Sequence, residues 1–364
     1  MMTRPGTVLV ATSLALMSSA GVRSEVQFQK IAGTDSVFSD FEFSRPAIND
    51  AGTVAFFARV APFGDGGIFV ARHGTITPVA TVLDSGIAGL SSAPELNNSG
   101  SVVFGAQLET GQQAVMLARK GVLTPIAVSA SELTLGYYGG SINNAGAVAF
   151  EGEDEHGRGA IFVARRGVVS AIADASPPFS PFGVFSTPTI NGSGAVAFTA
   201  LLDDGNAGVV LVRGGEITII ASTDPSGPFQ AIGFGATVND AGEVAFRADL
   251  RGGEQCIFIW RHGRLTPRVC TGRGFADLGD IMALNDGGTV AFVAALASGG
   301  FGLFVGADPV ADRIIVTGDP LDGSVVVSVE MLFRALNEAS QLVFSARLAD
   351  FRQGIYVANV GAAR

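Results

Sequence analysis

Histidine and lysine are scarce in this chain, with three of the former and the latter only at Lys30 and Lys120 among 364 residues. Three scattered histidines, His73, His156 and His262, do not make a histidine-dependent triad or a His-rich metal site. The formal net charge of −10 argues against nucleic acid, because phosphate backbones call for clustered Lys and Arg. Charged residues make up only 15% of the chain against 48% hydrophobic, the opposite of the balance that keeps a chain disordered. No Gly-rich strand-to-helix phosphate loop occurs. Past the N-terminus no apolar run approaches the 18 residues that would suggest a membrane helix.

The N-terminus itself reads as a secretory signal. Arg4 stands in a short basic region, Thr7 to Met17 form an apolar stretch, and Ser18, Ser19 and Ala20 offer small residues for cleavage. Residues 1–20 are therefore expected to be a signal peptide, and the mature protein to be secreted or periplasmic, with no membrane span after cleavage. The two cysteines of such a chain could join. Cys256 and Cys270 flank a hairpin turning at His262-Gly263, where a plain two-residue turn sets Cys256 opposite Val269. Facing side chains would need a β-bulge, and the alternative is a pair of buried thiols.

What is abundant is glycine, 49 residues, and it recurs on a schedule. Asn, then Gly three residues later, then Phe four further on, occurs as NDAGTVAF from Asn49, NNSGSVVF from Asn97, NNAGAVAF from Asn143, NGSGAVAF from Asn191, NDAGEVAF from Asn239 and NDGGTVAF from Asn285. A degraded copy, NEASQLVF, starts at Asn337. Successive asparagines stand 48, 46, 48, 48, 46 and 52 residues apart, a period that suits one four-stranded propeller blade. Each copy reads as a short strand ending at the Asn, a second opened by the motif, a third such as GIFVAR, and in most copies a fourth such as TITPVA. Pro78, Pro125 and Pro267 in that fourth strand place it at the outer edge, since proline cannot donate to a ladder. The Asn suits the first position of a turn and the Gly a left-handed residue, so Ser340 in the last copy predicts a strained or altered hairpin.

A lone fourth strand, VQFQKIAG from Val26, precedes the first motif, and the chain ends after a third strand, GIYVAN, that has no fourth to follow. The surplus at one end fills the gap at the other. Residues 26–364 are thus expected to be a single all-β domain, a seven-bladed β-propeller of four-stranded blades closed by pairing the N-terminal strand with the C-terminal blade, which removes an exposed sheet edge.

The repeat resembles the tandem NxxGxxxAF units of exported bacterial proteins with varied surface anchors. That resemblance covers essentially the whole mature chain and implies export and a propeller-like domain. It implies no activity and no catalytic residues. A C-terminal anchor of the kind some such proteins carry is not recognisable in GIYVANVGAAR.

Three constellations are candidate sites. In the four residues before each motif Asn, which should line the central channel, only Arg45, Glu95 and Arg334 are charged; they read either as an anion site at the channel mouth or as an Arg45–Glu95 salt bridge beside a solvated Arg334. Glu151, Glu153, Asp154, Glu155 and His156 form an acidic loop, with Asp203 and Asp204 in the matching loop of the next blade, able to do acid/base work on a glycan, to hold calcium, or simply to be solvated. Tyr137, Tyr138, Phe179, Phe182 and Phe185 fall in blade-connecting loops, where they could stack on a ligand or pack against the rim. Asp35, Asp224 and Asp319 end outer strands as turn stabilisers. The expected function is that of a monomeric binding or scaffold propeller with no cofactor, presenting loops to a glycan or protein partner. The alternative is an extracellular carboxylate-dependent hydrolase or lyase acting on a polysaccharide or other polymer.

Overall fold

A computed structural model describes residues 26–41, 44–62, 65–84, 86–136, 139–180 and 185–361. The expected signal peptide, Tyr137, Tyr138 and Phe182 lie outside the described residues. The strands form seven antiparallel sheets, one per repeat. The first blade shows the plan: Phe38–Asp40 and Ala47–Ile48 flank the channel, followed outward by Val54–Val60, Asp65–Arg72 and Thr75–Thr81. The ring closes as the strand count requires. Phe28–Gly33 pairs antiparallel with Gln353–Asn359, Phe28 opposite Ala358 and Gly33 opposite Gly354, and becomes the outer strand of the seventh blade.

Alternation along the second strand of each blade builds the core. Side chains two apart share a face, so Val54 and Phe56 face one neighbouring blade and Ala55 the other. All seven motif phenylalanines, Phe56, Phe104, Phe150, Phe198, Phe246, Phe292 and Phe344, are fully buried. Five of them enter a crevice where the preceding blade offers an alanine, as Phe104 does with Ala55, Phe198 with Ala149 and Phe246 with Ala197; Phe150 and Phe56 instead meet Val103 and Val343. Each such burial contributes about 1.5–3 kcal/mol.

Between third and fourth strands, the register slips by one residue in each of the first six blades, for example at Ile68/Phe69 and Ile257/Phe258. In the fifth blade that bulge moves Val269 opposite Ile257 and brings Cys270 opposite Cys256, with Cα atoms 4.1 Å apart and the sulfurs bonded. The bulge the disulfide needs is therefore a feature of the repeat.

Ser340 adopts φ 57°, the left-handed conformation of its glycine counterparts, and its N–H still reaches the Asn337 carbonyl at 3.1 Å. The last hairpin thus keeps its shape and carries a side chain where six copies carry none. Lys30 ties the closure seam, bonding Asp322 at 2.8 Å and Asp35.

Candidate functional site: the channel and the cleft beside it

Every inner strand runs from a blade-connecting loop to the motif Asn, so the seven asparagines gather at one mouth of the channel and the connecting loops at the other. The Oδ1 of each Asn closes its own turn; that of Asn49 accepts from Ala51 N at 3.1 Å and Thr53 N at 2.9 Å. Its Nδ2 remains free to donate outward, and it donates to the backbone carbonyl of the Asn in the next blade. The bonds run Asn49 to Asn97, Asn143, Asn191, Asn239, Asn285, Asn337 and back to Asn49, at 2.9–3.4 Å. The following residue repeats the device. Side chains of Asp50, Asn98, Asn144, Asp240, Asp286 and Glu338 each accept the N–H of the preceding blade's equivalent, and the sequence breaks only at Gly192, which has no side chain to offer. Sequence reasoning assigned these asparagines a local turn role alone, because a contact repeated from blade to blade is visible only once the ring is closed.

Four carboxylates consequently face this mouth. Loss of hydration pushes the Asp286 and Glu338 carboxyls up, and the other acids of the ring add to the push, from Asp240 and Asp50 on Asp286 and from Asp286, Asp50 and Asp240 on Glu338. Among the described residues, no group of three or more His, Cys, Asp or Glu side chains is placed to hold a metal ion.

Deeper in the bore lies Arg334. From the seventh blade its guanidinium crosses the channel to donate to the Ile190 carbonyl of the fourth blade, and its Nε lies 3.8 Å from Glu95 Oε2 in the second. The sequence-based alternative of an Arg45–Glu95 bridge beside a solvated Arg334 is thereby corrected. Glu95 pairs with Arg334, and Arg45 pairs with Glu330, Nε to Oε2 at 3.6 Å. The reason is geometric: a bore a few side chains wide brings blades 2, 4 and 7 together, whereas adjacency along the ring suggested blades 1 and 2. Glu95 is only 5% exposed. Burial pushes its carboxyl up, against the opposing pull of Arg334 and hydrogen bonds from Ser141 and the Ile142 N–H.

Toward the connecting loops the structure opens a cleft of about 430 Å³, walled by Glu151, Glu153, Phe185 and Phe234 over Gly136 and Gly152. Glu151, with Glu153 and Asp154, lies within the strand Val148–Asp154, not in the loop the sequence suggested, because the ladder to the third strand extends as far as Glu153 opposite Gly159. Glu151 follows Ala149, which packs with Phe198, by two positions and so faces the crevice toward the fourth blade. It has no hydrogen-bond or ion-pair partner among the described residues, and burial alone pushes its carboxyl up. The equivalent position in the fifth blade shows the contrast. There Arg247 is held by Asp249 at 2.7 Å and Asp280 at 3.3 Å.

Phe234 is 62% exposed. It stands there because the inner strand of its blade leaves the ladder between Ile232 and Ala236. Gly235, at φ 148°, makes room for Phe333, whose ring would lie 2.9 Å from a Cβ at that position. Nothing in the repeat marks Phe234, and sequence reasoning missed it.

The remaining candidates do not converge. Asp154 is tied to Arg158 by a 2.6 Å contact that, with two N–H bonds, holds its carboxyl down at about 2. His156 Nδ1 lies 3.9 Å from Asp154 and 3.8 Å from Glu155 in the exposed loop. Asp204 bonds Asn206 in its own turn. Phe179 and Phe185 pack against Phe198, so the rim aromatics that are described serve mainly the core. Asp224 caps its turn through Ser226, and Asp319 does so through Val316 N.

A ring of seven repeat-built sheets, latched by asparagines and sealed by exchange of terminal strands, defines the protein as a seven-bladed β-propeller. It belongs to a family of unknown function, DUF7453, whose model matches residues 29–264. No curated protein matches the chain. Among solved structures it is similar to an oligogalacturonate lyase in complex with manganese, with a TM-score of 0.59 at 12% identity over 92% of this chain and 93% of that one. It is also similar to an oligogalacturonate lyase from Vibrio parahaemolyticus, TM-score 0.58, 11% identity, covering 92% and 96%. A puromycin-hydrolysing peptidase from Mycobacterium tuberculosis shares the fold at a TM-score of 0.55 and 16% identity, covering 88% of this chain and 51% of the peptidase. At such identities the likeness concerns the fold alone.

Proposed function

We propose that this protein is an exported, monomeric binding propeller that holds a glycan in the cleft between its third and fifth blades, without chemistry of its own. The observation that carries the reading is Glu151: a partly desolvated carboxylate with no partner among the described residues, facing a cleft whose other wall is the exposed ring of Phe234. A sugar offers the matching surfaces, an apolar ring face for Phe234 and hydroxyls that donate to the Glu151 carboxylate. Gly136, where a Cβ would meet only the Glu151 side chain at 3.4 Å, leaves the backbone beneath open to a ring. Export rests on the N-terminal segment from Arg4 to Ala20 and is supported by the Cys256–Cys270 disulfide, a bond favoured in oxidising compartments.

The test is binding of neutral oligosaccharides to the mature chain on a glycan array, followed by calorimetry on the hits. Glu151→Ala is expected to weaken the best ligand about tenfold, the size of one lost hydrogen bond to a charged group. A ligand that binds the Ala variant as well as the parent would remove the reading. A ligand consumed during the assay, with loss of turnover in Glu151→Gln, would replace it by the carboxylate-dependent hydrolase or lyase.

A further inference from the structure

A second chamber lies inside the bore, on the loop side of Arg334. It measures about 190 Å³ and is walled by Ala93, Ile281, Leu332, Phe333 and Phe234, with Arg45 and Glu95 as its charged members. The layer is set by the repeat. In six blades the residue four before the ring asparagine is uncharged, running from Ala93 and Thr187 to Ile281 and Phe333; in the first blade it is Arg45.

The polar groups of the chamber are unequally spent. Glu95 takes a hydrogen bond from Ile142 N at 3.3 Å and another from Ser141, and is faced by Arg334. Arg334 in turn bonds the Ile190 carbonyl. Arg45 is different. Its backbone N–H is anchored to the Ser92 carbonyl at 2.9 Å, which fixes its stem. Its guanidinium makes one contact among the described residues, Nε to Glu330 at 3.6 Å, beyond hydrogen-bond distance and at a side chain 39% exposed. A guanidinium carries five donors in a planar fork that matches a carboxylate. Glu95, the acidic acceptor of this chamber, is occupied, while the Arg45 guanidinium makes no hydrogen bond among the described residues, so the partner it calls for is an acceptor. The apolar walls set the rest of its chemistry, and a volume below the 300 Å³ or so of a drug-sized pocket sets its size.

We propose that this chamber binds a small amphipathic carboxylate, its oxygens on the Arg45 fork and its apolar body against Phe234 and Phe333. This site is separate from the glycan cleft, although Phe234 forms a wall of both.

The probe is 3-phenylpropionate, titrated calorimetrically into the mature protein at neutral pH beside its neutral and cationic counterparts, 3-phenylpropan-1-ol and 3-phenylpropylamine. The expected result is saturable one-to-one binding of the acid, with the alcohol and the amine each weaker by about tenfold or more. Arg45→Gln is expected to reduce the affinity for the acid by a similar factor, and Glu151→Ala, which alters only the cleft, to leave it unchanged. The proposal is overturned if the acid shows no saturable binding, if the alcohol or amine binds as well as the acid, or if Arg45→Gln costs nothing. The ligand series on the unsubstituted protein decides the point even if the variant fails to fold. Loss of acid binding in Glu151→Ala would move the site to the cleft and equally overturn it.

Discussion

The Nδ2 of Asn337 donates to the carbonyl of Asn49 at 3.0 Å across 288 positions of sequence, so the last blade grips the first with the bond that joins every other pair. The terminal strand exchange of Phe28–Gly33 therefore has a second, independent fastening at the channel. Closure is distributed between the rim and the axis.

Each ring asparagine should carry far more stability than a turn residue. Asn191 is 1% exposed, bonds the Asn239 carbonyl at 2.9 Å and accepts Ala195 N at 2.9 Å. Asn191→Ala leaves the Ala195 N–H buried without a partner, at about 1–3 kcal/mol, and strips the Asn239 carbonyl of one of its two donors, the Gly242 N–H at 3.0 Å remaining; urea unfolding followed by circular dichroism should show a clear fall in midpoint. Asn191→Asp restores the acceptor but turns an oxygen toward the Asn239 carbonyl. It is expected to rescue little, whereas a residue serving only its own turn would be rescued well.

Ser340→Gly should stabilise the protein. The serine occupies φ 57° where its six counterparts are glycines, and left-handed backbone costs a residue with a Cβ about 1–2 kcal/mol. Glycine regains part of this while loosening the unfolded chain, so a net rise of about 0.5–1 kcal/mol in unfolding free energy is expected. An unchanged or lowered midpoint would show that the serine side chain contributes something the backbone geometry does not reveal.

The acidic mouth should leave a signature in the pH dependence of stability. Asp286 and Glu338 have carboxyls pushed above their ordinary values of 3.8 and 4.5 by lost hydration and by neighbouring carboxylates. A folded-state value above the unfolded one means that the folded protein binds more protons between the two. The corresponding stability is complete below the ordinary range and is lost as pH rises through the raised value. Glu338→Gln keeps an oxygen for Asp286 N while removing a charge. Its thermal midpoint should exceed that of the parent at pH 7, with the gap closing toward pH 4. A gap that stays constant over that range would contradict the electrostatic account.

Much of this architecture is legible in the sequence because it is local and repeated. Asn, Gly and Phe mark a turn, a left-handed residue and a core position, and counting strands is enough to show that the segment opening near Val26 must pair with the strand around Ile355, which the register sets as Ala32 opposite Ile355. Position within the repeat identifies Arg45, Glu95 and Arg334 as channel residues, yet their pairing depends on side chains reaching across a bore, where nearness along the ring is no guide. The cross-blade work of Asn49 and its equivalents hides behind a turn role that already accounts for the residue. Phe234 is hidden for the opposite reason, since it sits where its blade abandons the pattern. Aligning the residue four before each Asn does isolate Arg45 from sequence alone, once those residues are known to form one layer.

The bar that Arg334 lays from the seventh blade to the Ile190 carbonyl and Glu95 also divides the bore into two unlike halves. On one side lie the amides and carboxylates of the asparagine mouth, on the other the rings of Phe234 and Phe333, so a solute that suits one end of the hole meets foreign chemistry at the other.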